Sequence, residues 1–204
     1  MKWLRRVMLL LVVGVAVFFT SALLVGCTTT VKPPTGVVDP VTVYVIDHGR
    51  TPSLLLPTAG DGAVRYAYGD WVYYAESKRH PIWHGAPALL WPTPAAVGRQ
   101  PLGRMPEANA AAVARATNLD VEHLHDVVVE RADAEALHRD LEQHFQQHWD
   151  QRLHNPSAAL TFVPHPDRYS LPHDSNRMVG RWLEQMGAET RGPFWATDWH
   201  IEQP

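Results

Sequence analysis

The chain has 204 residues, 46% of them apolar, enough for one packed domain and too many for a disordered chain. The formal charge is −3. Setting aside the first 26 residues, with three basic side chains and no acid, leaves 15 Lys and Arg against 21 Asp and Glu. A nucleic-acid binder carries the opposite balance, so that class is excluded as a partner.

The N-terminus reads "MKWLRR", a basic start, followed by an uncharged apolar run of about 20 residues that closes on "LLVGC". This ending resembles the lipobox of bacterial lipoproteins. The resemblance implies a leader over residues 1–26 and lipidation of Cys27, the only cysteine in the chain. An uncleaved apolar anchor is the alternative. Thr28, standing where a retention aspartate would stand, implies the outer membrane, with the domain facing the periplasm. Several acyl chains on one residue would make the membrane a permanent partner, since each buried methylene adds about 0.8 kcal/mol.

Residues 27–40 hold "TTTVKPPTGVVDP" behind the cysteine and read as a lipidated tether, leaving 41–204 as the globular domain. "VTVYVID" is β-branched and predicts a strand. "HGRTPS" predicts a turn and "LLLP" a second strand, giving a hairpin. "AVRYAYGDWVYYAE" predicts another strand, broken at Gly69. Residues 77–100 hold four prolines and read as loop with short helical pieces. "PEANAAAVARA" predicts a helix and "DVVVER" a strand.

"DAEALHRDLEQHFQQHW" puts Ala134, Leu137, Leu141, Phe145 and Trp149 on one stripe of a helix, with Asp133 as its cap. A last helix starts near Ser175, which reads as its N-cap with Asp174 as the competitor. Its inward face is Met178, Val179, Trp182, Leu183 and Met186, and Gly187 is its stop. The element order predicts an α+β fold, an antiparallel sheet packed with helices.

Twelve histidines invite a metal reading. His144 and His148 have helical i,i+4 spacing, His80 and His84 repeat it in a loop, and His123 and His125 lie two apart. No third ligand is marked by sequence, so solvated histidines are expected, with no metal and no cofactor. "HDS" at 173–175 spells the letters of a hydrolase triad, but adjacent residues diverge by about 100° at a helix start and do not build one.

Four blocks resemble, in order, a bacterial family of conserved hypothetical proteins of the urease gene region: "VYVIDHGRTPSLLLP", "YAYGDWVYY", "LLWPTP" and "RYSLPHDSNRMVGRWLEQMGAETRGPFW". The family's first block reads like V-Y-V-V-x-x-G-W-H-T-G-L-V-L-P and its last like Y-S-L-x-x-T-C-N-T-W. The resemblance implies a permuted papain-like layout, with a histidine on the early hairpin and a cysteine at a helix N-terminus. A helix start favours a thiolate there.

This chain has Thr51 at the family histidine and Ser175 at the family cysteine, with Asn176 kept. His48 is the substitute base, with His173 as the alternative, and Asp70 a third partner that would orient the base. The paired losses favour a non-catalytic domain of an envelope lipoprotein. Its expected ligand is a cell-wall or acyl group, in a cleft between the Thr51 hairpin and the Ser175 helix, lined by tryptophans such as Trp71, Trp83, Trp91 and Trp195. The alternatives are a serine amidase or esterase built on Ser175 and a structural or partner-binding lipoprotein. The hydrolase needs a histidine nitrogen within about 3.2 Å of the Ser175 hydroxyl.

Overall fold

The computed structural model describes residues 28–49, 51–77, 91–170, 172–192 and 198–203, with Trp3, Arg6 and Gly14 besides. The rest of the leader, with Cys27, His80, His84, Trp83 and Trp195, lies outside the described residues. Among the described residues no helix is long and apolar enough to cross a membrane.

The fold is α+β, an antiparallel sheet with helices packed on it. β1 (Thr28–Lys32) is followed by a meander of β2 (Pro40–Asp47), β3 (Ser53–Pro57), β4 (Ala63–Asp70) and β5 (Thr93–Leu102). Then come α1 (Ala110–Thr117), β6 (His123–Glu130), α2 (Arg131–Gln147), β7 (Leu153–Asn155), β8 (Leu160–Tyr169), α3 (Ser175–Gln185), β9 (Glu189–Arg191) and β10 (Asp198–Ile201). Seven strands form one sheet in the order β6-β2-β3-β4-β5-β8-β7, every neighbouring pair antiparallel.

Alternation along the strands sorts two faces. Leu54 and Leu56 of β3, Val64, Tyr66 and Tyr68 of β4, and Val97 of β5 share one face with α2 and α3. Ile46 and Leu55 point the other way toward Val113 of α1, and Ala96, Leu160 and Phe162 toward Ala75. Both faces are covered, which is why β3 and β4 read as nearly unbroken apolar runs.

The helices hold the expected stripes with two corrections. α2 buries Ala134, Leu137, Leu141 and Phe145, but it ends at Gln147 and leaves Trp149 43% exposed beneath the Arg152 guanidinium, 4.4 Å from its ring centre. Asp133 lies inside the first turn. Glu130 takes the cap position, its carboxylate accepting the backbone N–H groups of Val38 and Asp39. α3 buries Met178, Val179, Trp182 and Leu183 and stops where Gly187 turns at φ +85°.

The short β7, β9 and β10 escape the sequence pattern, as do three longer or better-buried strands. β1, read as tether, pairs parallel with β10 and antiparallel with β9, and Val31 is fully buried. Residues 28–32 are therefore strand and not loose tether, because partners some 160 residues away supply the burial that a short Thr-rich strand lacks. β5 fills the end of the span read as loop, carrying Pro94 beside a register shift and Gly98 where a Cβ would stand 2.6 Å from the Phe162 ring. β8 follows α2 where only loop was expected. Gly69 lies within β4 instead of breaking it, and its missing side chain admits the Tyr74 ring from the π-turn at Trp71–Ala75.

Candidate functional site

The meander brings the ends of β2, β4 and β8 and the starts of β3 and β5 to one end of the sheet. All the candidate side chains of the domain gather there, in two separate environments.

The first surrounds the α3 N-terminus. Asp174 caps the helix, accepting the Arg177 N–H at 2.9 Å, and Ser175 follows as the first helical residue, 2% exposed. The Ser175 hydroxyl bonds the Tyr169 phenol, and among the described residues no histidine hydrogen-bonds it. His173, its near neighbour, faces Ser170 at 3.4 Å. Burial raises the Asp174 carboxyl to about 6, against bonds from Arg177 and Asn176 that lower it. Burial also raises the Tyr169 phenol far above its ordinary range, helped by Tyr74, Asp174 and Asp70. Asp70 reaches this group but orients no base. Its carboxylate accepts the Tyr73 N–H at 2.7 Å and the Thr93 hydroxyl, fixing the turn after β4.

The second environment is a cleft of about 320 Å³ on the opposite face, lined by His48, Thr51, Ser53, Arg65, Tyr73 and Tyr74. His48 leaves the end of β2 just before Gly49, whose φ of +85° reverses the chain. That angle is what calls for glycine, since the Glu122 carboxylate, 2.4 Å from where a Cβ would stand, is the end of a flexible side chain that can move aside. His48 Nδ1 lies 2.6 Å from the Asp120 carbonyl oxygen, which only accepts, so Nδ1 carries the proton. Nε2 is then the acceptor, and the Ser53 hydroxyl donates to it at 3.0 Å. Burial lowers the His48 pKa, Arg65 adding to the fall while the Asp120 carbonyl, Asp47 and the Asp120 charge oppose it. The ring is neutral at pH 7.

Arg65 sits on β4 among apolar neighbours, 2% exposed. Nε donates to Gln100 Oε1 at 2.8 Å and Nη2 to the Ala158 carbonyl at 2.6 Å. Both partners are neutral, and burial pulls the guanidinium down to about 9. Among the described residues no carboxylate pairs with it, whereas Arg99 meets Glu142 at 2.6 Å and Arg181 meets Asp167 at 3.4 Å.

The sequence pairs His48 with Ser175, and the fold gives each a different partner. Thr51 lines a cleft, but Ser175 does not share that lining, and neither do Trp71 and Trp91, the two expected tryptophans among the described residues. Trp71 packs beside Ala75 and bonds Glu76, while Trp91 is 67% exposed. Ser53, Arg65 and Asp120 were missed. The one available signal was an arginine at an inward position of "AVRYAYGD".

His144 and His148 stack at 4.4 Å, with His165 5.4 Å from His144. His144 bonds the Pro164 carbonyl at 2.8 Å, so it is part of the α2–β8 packing and not a solvated side chain. Burial drops His165 to about 4. Among the described residues no group of three His, Cys, Asp or Glu is placed to hold a metal ion. No family model, curated protein or solved structure matches this chain.

Proposed function

We propose that the chain is a lipid-anchored protein of the bacterial cell envelope, on a permuted papain-like layout, whose domain binds an anionic ligand in the cleft over β3 and β4. Ser175 acts in it as the first residue of a capped helix, not as a nucleophile. Arg65 carries the proposal. A buried guanidinium bonded only to neutral acceptors has lost its hydration without gaining an opposite charge. A carboxylate or phosphate entering the cleft supplies that charge and bonds it with directional N–H donors. Cell-wall peptides offer the first group and lipid headgroups the second. The tyrosine wall of Tyr73 and Tyr74 suits the rest of either ligand.

The anchor is Cys27, and its consequence is geometric. Because β1 starts at the next residue, an acylated Cys27 sets the domain against the outer membrane with no tether between them.

Thermal melting with inorganic phosphate and, separately, acetate tests the cleft. The wild-type melting temperature rises with the preferred anion, by the equivalent of about 2.7 kcal/mol at a hundred times Kd, and Arg65→Met abolishes the rise. Equal shifts in both proteins, or none in either, overturn the binding proposal. The acetate and phosphate arms separate a carboxylate ligand from a phosphate one. For the anchor, Cys27→Ala blocks metabolic incorporation of an acyl chain, and continued incorporation in that variant overturns it.

A further inference from the structure

We propose that Ser53 and His48 form a nucleophilic pair that cleaves an acyl ester whose carboxylate or phosphate is held by Arg65. This deepens the anionic-ligand proposal and rests on it. Three independent observations converge in one cleft.

The first is the pair itself. The Ser53 hydroxyl donates to His48 Nε2 at 3.0 Å, within the reach that general-base activation of a serine requires. The second is the orienting group behind the base. The Asp120 carbonyl, 2.6 Å from Nδ1, fixes the tautomer that leaves Nε2 free to take a proton, the positioning part of the role a carboxylate plays in a hydrolase triad. The third is access: His48 and Ser53 both line the same cleft as Arg65, with room for a small ligand. β-sheet register explains the arrangement. Ser53 stands opposite Ala67 and Leu55 opposite Arg65, so Ser53 and Arg65 are diagonal neighbours on one face of the sheet.

The step balances with water as the only co-reactant. Ser53 Oγ attacks the acyl carbon and forms a C–O bond while its proton passes to His48 Nε2. The tetrahedral adduct collapses, the original ester C–O bond breaks, and the leaving alkoxide takes the proton from Nε2. Water then attacks the acyl carbon while Nε2 takes its proton, the bond from that carbon to Ser53 Oγ breaks, and Oγ recovers the proton from Nε2 as the acid leaves. Arg65 holds the anionic end of the substrate, which fixes the carbonyl relative to Ser53. Ser175 has none of these supports, since its hydroxyl meets a phenol and not an imidazole.

The full chain is treated with an alkyl fluorophosphonate and the adduct mapped by peptide mass. The expected result is one phosphonyl group on Ser53, formed with loss of fluoride, absent in Ser53→Ala and unchanged in Ser175→Ala. His48→Gln slows adduct formation at least about 100-fold, and inorganic phosphate protects wild type. An unmodified Ser53, an adduct on Ser175, or an unchanged rate in His48→Gln overturns the proposal. Mapping on wild type locates the adduct even where Ser53→Ala fails to fold. An unmodified Ser53 in a protein that still shows Arg65-dependent melting shifts sinks the catalytic pair and leaves the binding cleft standing. Absence of both effects removes both.

Discussion

Ser175 and Ser53 are almost equally buried, at 2% and 1% exposure, yet they stand on opposite faces of the sheet with different company. Ser175 opens a helix, below a carboxylate that caps it, and faces a phenol. Ser53 opens a strand, faces a neutral imidazole, and borders a buried cation. Burial does not tell the two apart; the partner does. The same contrast divides the faces. Beneath α2 and α3 one continuous apolar cluster runs from Val43 to Trp182, and charged side chains at its edge are paired. On the other face the apolar cover is split into two smaller clusters, and a cleft opens beside the one around Phe162, where the Arg65 charge meets no carboxylate among the described residues.

The contrast breaks first under truncation of the closed face. Trp182→Ala, 4% exposed in the wild type, should cost about 3–5 kcal/mol in chemical denaturation. A loss below about 1 kcal/mol would mean that this face is not the stabilising one.

A smaller effect attaches to the cap. The Asp174 carboxyl rises from 3.8 to about 6 on folding, so between those values the folded chain keeps a proton that the unfolded chain releases. Stability therefore falls as pH rises through that window, and this contribution is greatest below it. Asp174→Asn keeps an acceptor for the Arg177 N–H and should flatten the slope, while Asp174→Ala should lose about 1 kcal/mol of capping. A slope that survives in Asp174→Asn would assign it to another group.

The smallest expected effect is the most telling. Arg65→Met replaces a buried charge, which meets no carboxylate among the described residues, by an apolar chain of similar reach, so the stability of the ligand-free protein to denaturant should lie within about 1 kcal/mol of wild type or above it. Strong destabilisation would make Arg65 a structural residue and close the gap between the two faces.

Much of the fold was legible from local pattern. β2, β3 and β6 are β-branched or aliphatic runs, the stripe of α2 needs only helical spacing, and α3 carries its cap, inward face and glycine stop within a short stretch. Strands β5 and β8 were hidden by Pro94, Pro101, Pro164 and Pro166, which a sheet tolerates only where ladder bonds are spared. β1 was hidden because its partners lie at the far end of the chain.

The site divided in the same way. Its residue types are plain in the chain, and the sequence marked the turn at "HGRTPS" that carries His48, Thr51 and Ser53. Family resemblance directed attention to Ser175, where the chain keeps the helix start but supplies a phenol as partner.

By itself, then, the sequence determined the α+β class, the presence of the three helices, the stop of α3 at Gly187, and the turn that carries His48 and Thr51. These depend on neighbours within one helical turn or one hairpin. Only the tertiary structure decided which serine meets which histidine, because that depends on Asp120, 72 residues from His48, and on the strand register that sets Arg65 beside Ser53. Proton acceptance and charge pairing act over a few ångströms in space, and the chain brings those groups together only when the sheet closes.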